Sequence, residues 1–348
     1  MTRPKTGILL VNLGTPDSPE NKDVYKYLQE FLLDPRVIDI SPISRNLLVR
    51  GIIVPFRHKK SAKLYKKLWT SEGSPLKVYG YRVEKMLQEE MGAEFKVVLA
   101  MRYQSPSIEN GLDELIKAGV DRILVFPMFP QYASASTGSV HDKVLEIVSK
   151  YQIVPELHLV HSYPEHPGMI KVFADNARQF NLEEYDHFLL SFHGIPQRQM
   201  RKASIDNHCL QSENCCQQVC DANRFCYSAQ CYRTAVALAS ELGIPEDKYT
   251  VCFQSRLGND PWIQPYTSDV IKERYNAGDR KMLVFCPAFV SDCLETTVEI
   301  SDEYHEEFIE LGGEKLDLVP SLNDNPDWVK AMKGIIFEHL PGGFKYDS

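Results

Sequence analysis

No apolar run in this 348-residue chain reaches the ~18 residues that a bilayer-spanning helix needs, which excludes an integral membrane reading. Basic charge is not in excess. With 39 Lys and Arg against 47 Asp and Glu the formal net charge is -8, which argues against a nucleic-acid surface as the main business. No low-complexity tract interrupts a composition that is 43% hydrophobic and 25% charged, ordinary values for a globular protein. The N-terminal residues run straight into an apolar segment at 7–12 that is too short for a secretory core with a cleavage site, so a cytoplasmic location is expected. Disulfides are disfavoured there, and the nine cysteines are expected to be thiols or metal ligands.

What is present organises into two halves. A chain of this length exceeds the size at which one core stops growing, and the expected domains are 1–162 and 163–340. Near-continuous apolar runs read as buried strands at 7–12, 96–101, 122–126 and 156–160, then at 187–192, 249–253, 281–286 and 315–319. Helical stretches at 76–91, 108–118, 139–150, 232–242 and 327–339 fall between or after them. This alternation predicts βαβ units, hence an α/β protein of two similar Rossmann-like domains, each a four-stranded parallel sheet flanked by helices. The halves share no convincing residue-level repeat.

Ligands of open α/β sheets sit beyond the carboxyl ends of the strands. The fifth strand ends there in Phe192, His193, Gly194, Ile195 and Pro196. A His delivered by a rigid strand, on a Gly turn that leaves room for an approaching group, suits metal binding or proton transfer; a structural His beside a turn is the alternative. Beyond the seventh strand, Glu295, Glu299 and Glu303 are spaced i, i+4, i+8 and would share one helix face. They have no i+4 Lys or Arg partners, so their mutual repulsion makes most sense if a metal ion or a proton visits them.

Residues 43–69 combine Ile43, Leu47, Leu48, Val49, Ile52, Ile53, Val54 and Phe56 with a basic run of Arg57, Lys59, Lys60, Lys63, Lys66 and Lys67, interleaved with Tyr65 and Trp69. The segment is either a solvated cationic helix or an apolar lip with a basic rim. Such a lip suits a flat, apolar, anionic ligand or an anionic membrane surface.

Taken together, several segments resemble the ferrochelatases, enzymes that insert ferrous iron into a porphyrin late in haem synthesis. The resemblance covers about residues 5–340 and rests on residues 7–16, Gly73-Ser-Pro-Leu76, Phe129-Pro-Gln-Tyr132, Leu190-Ser-Phe-His-Gly-Ile-Pro196, Phe253-Gln-Ser-Arg256 and Ser291-Asp-Cys-Leu-Glu-Thr296. It implies a chelatase fold with the active cleft between the two domains and a porphyrin-binding lip at 40–70. It also implies an enzyme, a lyase, with protoporphyrin IX and Fe²⁺ as substrates and no obligate protein partner. His193 and Glu295 become the iron-site pair and Glu299 and Glu303 a path for protons or iron. Leu13, Arg57, Tyr65, Ser74, Arg102, Tyr103 and Trp262 become porphyrin contacts, and the lip a candidate for peripheral contact with the inner face of the membrane.

Some positions depart from the family pattern. Leu13 stands where coproporphyrin-type relatives carry Tyr, which favours protoporphyrin IX. Arg224-Phe-Cys-Tyr227 replaces a common Gly-Asp-x-Tyr stretch, Gly334 stands where some relatives have a catalytic Asp, and Ser134 where animal enzymes have a cluster Cys. The insert at 203–231 holds Cys209, Cys215, Cys216, Cys220, Cys226 and Cys231. Zinc would prefer paired cysteines two to four residues apart, which this segment offers loosely. A [2Fe–2S] cluster on Cys209, Cys216, Cys226 and Cys231, with Cys215 and Cys220 as alternates, resembles the internal clusters of some microbial ferrochelatases. A coproporphyrin chelatase, a cobalt chelatase or a non-catalytic haem- or metal-binding protein are the competing functions.

Overall fold

The computed structural model describes residues 5–340 apart from Glu213, Asn214, Val219, Leu257 and Asn259. It contains eight strands: β1 (Thr6–Gly14), β2 (Phe95–Tyr103), β3 (Arg122–Pro127), β4 (Glu156–Leu159), β5 (His187–His193), β6 (Tyr249–Gln254), β7 (Lys281–Phe285) and β8 (Lys315–Leu318). They form two sheets in the orders β2-β1-β3-β4 and β6-β5-β7-β8, every pairing parallel. Parallel strands covered by helices on both faces must be apolar along their length. Accordingly Ile8, Leu9, Leu10 and Val11 of β1 and Leu189, Leu190 and Phe192 of β5 are buried.

The chain divides into two compact units. Unit 1 comprises residues 1–129, 133–161 and 323–348; unit 2 comprises 130–132 and 162–322. Unit 1 has a core cluster of Leu9, Val11, Val98, Leu112, Ile123, Val125, Val144 and neighbours; in unit 2, Leu189, Cys252, Val270, Ile271, Met282, Val284, Ile300 and Phe308 do the same. Each such side chain contributes about 1.5–3 kcal/mol by leaving water.

The two units depart from the partition at 162/163 in two places. The last helix, Pro326–His339, belongs to unit 1 rather than to a domain running to 340. Asn325 caps it by accepting from Asp327 N–H, with Pro326 at its first position. Its Trp328, Val329, Met332, Ile335 and Ile336 are buried, Phe337 meets Phe95 edge-on at 5.9 Å, and Lys333 pairs with Glu90 of helix Pro75–Met91. Conversely, the short segment 130–132 serves unit 2, where Gln131 donates to Thr234 Oγ1 (2.9 Å) and Tyr132 N–H to Gln230 (2.8 Å).

At the base of β5, His187 is 1% exposed, its Nε2 lies 2.8 Å from the Thr250 hydroxyl, and its Nδ1 has no partner. Burial pushes its pKa down from 6.5 to about 4. Between those values the unfolded chain binds a proton that the folded chain refuses, so this contribution to stability is present above pH 6.5 and lost as pH falls toward 4. At pH 5 the loss amounts to about 1–2 kcal/mol. Urea unfolding of His187→Gln should therefore show a flatter dependence between pH 7.5 and 5 than the natural chain; parallel curves would contradict this assignment.

Candidate active site

β5 is a central strand, yet its last three residues are paired on one side only. Leu190 is the last residue registered with β7, opposite Phe285, whereas Ser191, Phe192 and His193 continue beside Cys252, Phe253 and Gln254 of β6. His193 is thus carried beyond β7 on rigid backbone. Its Nδ1 lies 2.6 Å from the Gly194 carbonyl oxygen. A carbonyl can only accept, so Nδ1 carries the hydrogen and Nε2 keeps its lone pair for a metal or a proton. The Tyr227 hydroxyl donates to the His193 carbonyl (2.7 Å), and the rings of Trp262 and Phe289 flank the imidazole at 6.3 Å each. At Gly194 a Cβ would lie 2.9 Å from the Gln254 carbonyl oxygen and 3.1 Å from the Trp262 ring, so glycine is required for the close approach.

The Glu-bearing segment is helical, but not α-helical. Leu294–Tyr304 forms an eleven-residue π-helix, opened by Cys293 N–H donating to Thr296 Oγ1 (3.0 Å). Its wider i→i+5 bonding still leaves the three glutamates in succession, with decreasing cover: Glu295 and Glu299 are half-buried and Glu303 is exposed. Glu299 accepts from Ser255 N–H (2.9 Å) and Ser255 Oγ, from Tyr304 Oη (3.2 Å) and from Gln254 Nε2 (3.4 Å). Its pKa is raised: burial dominates, the Ser255 hydrogen bond opposes, the Glu295 charge adds to the rise, and His193 opposes it. His193 and Glu295 therefore each act electrostatically on Glu299, and Glu303 continues the series to the surface.

The other sequence-assigned residues have distinct settings. Trp262 packs against His193 and bridges to Pro196. In unit 1, Leu13 is half-buried with its N–H on Asn12 Oδ1 (2.8 Å). Ser74, 1% exposed, donates to Thr15 Oγ1 (3.0 Å), tying the 73–76 turn to the loop after Leu13. Tyr65 is buried edge-on against Tyr27, while Arg57 projects to solvent from helix Val54–Leu68.

Tyr103 is wholly buried and its hydroxyl donates to Asp34 (2.9 Å). Arg102 pairs with the same carboxylate at 2.6 Å and lies over the Tyr103 ring. Both residues build the Asp34–Ser139 network that supports the end of β2. A strand-end position alone could not distinguish a lining residue from one turned beneath the rim.

Three thiols of the insert converge: Cys216 Sγ lies 3.5 Å from Cys215 and 3.8 Å from Cys226. Ligands about 2.3 Å from one tetrahedral metal stand about 3.75 Å apart, so this spacing fits shared ligation. Either thiol of the Cys216–Cys226 contact could donate; the contact lowers the Cys216 pKa to about 6 and, with burial, pushes that of Cys226 up. Buried Cys209 bears on the charges of Cys215 and Cys226. Cys220 is exposed, 3.7 Å from His208 Nε2, and Cys231 lies fully buried with its thiol against the Tyr227 side chain. Among the described residues no set of three or more His, Cys, Asp and Glu is already arranged around one metal position.

The sequence profile of the family described as Ferrochelatase matches residues 5–340. The chain is 41% identical over 336 residues to Ferrochelatase of Legionella pneumophila (strain Paris), which spans 97% of this chain and 100% of that protein. It is 44% identical over 330 residues to Ferrochelatase of Pseudomonas fluorescens (strain Pf0-1), with 93% and 95% covered. Among solved structures, SirB from Bacillus subtilis with Fe³⁺ matches with a TM-score of 0.53 at 13% identity, covering 99% of this chain and 100% of that one. The sirohydrochlorin chelatase SirB from Bacillus subtilis subspecies spizizenii in complex with cobalt gives 0.53 at 13%, with 96% and 95% covered, and both likenesses speak for the chelatase fold alone. On the profile match and the identity to these relatives along nearly its whole length, the chain belongs to the ferrochelatase family.

Proposed function

We propose that His193 and Glu295 form the iron site at which this lyase replaces the two pyrrole protons of protoporphyrin IX with Fe²⁺. The observation that carries the proposal is the fixed tautomer of His193 beside a run of partly buried carboxylates. Nδ1–H is committed to Gly194, which aims the Nε2 lone pair outward as a base or a ligand. Imidazole and carboxylate together suit borderline ferrous iron. The raised pKa of Glu299 makes it a proton acceptor from the inner site, and exposed Glu303 hands protons to water or admits iron. Leu13, Ser74, Tyr65, Arg57 and Trp262 are the proposed porphyrin contacts, and Arg102 is held by Asp34 and Ser139. A flat ring resists metal entry, so binding energy from its periphery has to hold it bent.

The test is haem formation from free protoporphyrin IX and Fe²⁺ under anaerobic conditions. A catalyst makes haem far in excess of enzyme, whereas a carrier stops at stoichiometry. His193→Ala should lower kcat by at least ~100-fold with porphyrin binding retained, and Glu295→Gln should do likewise. Glu303→Gln should be milder. Apolar Leu13 leads to a higher kcat/KM for protoporphyrin IX than for coproporphyrin III; the reverse order, or near-normal turnover by His193→Ala, would overturn the respective assignment.

We also propose that the insert holds a [2Fe–2S] cluster with a structural or regulatory role. Cys209, Cys216, Cys226 and Cys231 are the proposed ligands, with Cys215 and Cys220 as alternates; the sulfur spacing supports Cys216 and Cys226 and brings Cys215 beside them. Such a cluster accepts or stores electrons when bound, and no step of metal insertion needs it. Anaerobically purified protein should be red-brown with about two irons and two acid-labile sulfides per chain, and Cys216→Ser or Cys226→Ser should bleach it. Colourless protein carrying stoichiometric zinc would refute the cluster.

Ile43, Leu47, Ile52 and Phe56 are 77%, 69%, 57% and 82% exposed beside Arg50, Arg57, Lys59, Lys60 and Lys63. No helix among the described residues is long and apolar enough to cross a membrane. This apolar surface with its basic rim supports peripheral contact with anionic lipid. Co-sedimentation with phosphatidylserine vesicles should weaken at least several-fold in Ile43→Ser/Phe56→Ser; unchanged sedimentation would remove the lip from that role.

A further inference from the structure

We infer that Gln254 is a positioning residue that sets the separation of His193 from Glu295. The inference rests on the iron-site reading above. Gln254 is 1% exposed at the end of β6, and three of its groups engage the two segments that carry the site. Its main-chain carbonyl accepts from Gly194 N–H at 2.8 Å, immediately after His193. Its side-chain Nε2 donates to the Glu295 carbonyl oxygen at 2.8 Å and to Glu299 Oε2 at 3.4 Å. Its Oε1 accepts from Ser191 Oγ at 2.7 Å and from the Cys286 thiol at 3.5 Å. Donors on one side of the amide and acceptors on the other permit a single orientation. Ser191 in turn meets the Thr267 hydroxyl at 2.8 Å, so the amide is held from behind by a buried hydroxyl pair.

The consequence is geometric. β5 and β6 are neighbours, so Gln254 is fixed relative to His193 by the sheet itself. The π-helix bearing Glu295 enters from a loop beyond β7, and the Gln254 amide ties its first turn to that frame. Two ligands of a small ion must hold their spacing to a fraction of an ångström for binding and for reaction. Gln254 touches neither the ion nor the ring on this account; it acts through the backbone of Glu295.

The test is Gln254→Glu, which keeps shape but places a second oxygen against the Glu295 carbonyl and the Glu299 carboxylate. The expected result is at least a 10-fold rise in KM for Fe²⁺ and at least a 10-fold fall in kcat. Protoporphyrin affinity, read by quenching of porphyrin fluorescence, should stay within twofold. Ser191→Ala, which removes the donor that orients the amide without adding charge, should raise KM for Fe²⁺ in the same sense by a smaller factor. It keeps the inference testable if Gln254→Glu fails to fold. An unchanged KM for Fe²⁺ in both folded variants, or parallel loss of porphyrin binding and iron affinity, would overturn the positioning role. His193→Ala and Glu295→Gln assayed alongside separate the two ideas. If they retain turnover the iron-site reading falls; if they lose it while Gln254→Glu and Ser191→Ala do not, only the positioning role falls.

Discussion

Taking the Glu299 carboxylate largely out of water costs several kcal/mol unless hydrogen bonds replace its hydration. Here the replacements come from Ser255 N–H and Oγ, Gln254 Nε2 and Tyr304 Oη. Each makes a demand on the chain. To turn both its donors to one carboxylate, Ser255 adopts a left-handed backbone with φ of 66°, a conformation that costs a non-glycine residue about 1–3 kcal/mol. The π-helix has to bring Tyr304 back over Glu299 from five residues along. The unusual backbone at two places near His193 thus accompanies one requirement, a satisfied carboxylate beside an imidazole.

Unit 1 contains the same device with different chemistry. Its sheet has the matching order with β1 in the place of β5, and a π-helix, Ser134–Gly138, follows β3 as Leu294–Tyr304 follows β7. Gln104, after β2, takes a φ of 65° and donates its N–H and Nε2 to Glu30, as Ser255 after β6 donates to Glu299. The halves therefore repeat in conformation where they do not repeat in residues. At the end of the first strand, Leu13 before Gly14 occupies the place that His193 before Gly194 holds in unit 2. One unit presents an apolar side chain there and the other an imidazole.

All eight strands were legible because fully covered parallel strands have to be apolar over their whole length. The expected run at 187–192 and the observed His187–His193 differ by one residue, His193. His193 itself was legible from the Gly and Pro that end the strand. The π-helices were not, since an i→i+5 register is selected by tertiary bonds such as those of Glu299 rather than by local propensity; spacing of i+4 reads as α-helix. Gln254 drew attention only as part of a motif. A buried amide leaves no periodic signal, and its importance lies in what it bridges. The setting of Tyr103 was hidden for a related reason: Asp34, which accepts from its hydroxyl, lies 69 positions away.

The stripe of glutamates has a direction. Cover decreases from Glu295 and Glu299 to Glu303, so the electrostatic influence of a bound cation is strongest inside and most screened outside. Burial raises the Glu299 pKa, which strengthens it as a proton acceptor. A divalent cation arriving at Glu295 would oppose that rise, because a nearby positive charge favours the ionised form. On the proposed reading, entry of Fe²⁺ and departure of protons are then coupled through Glu299 without any large movement. On that reading exposed Glu303 gives the departing protons access to water.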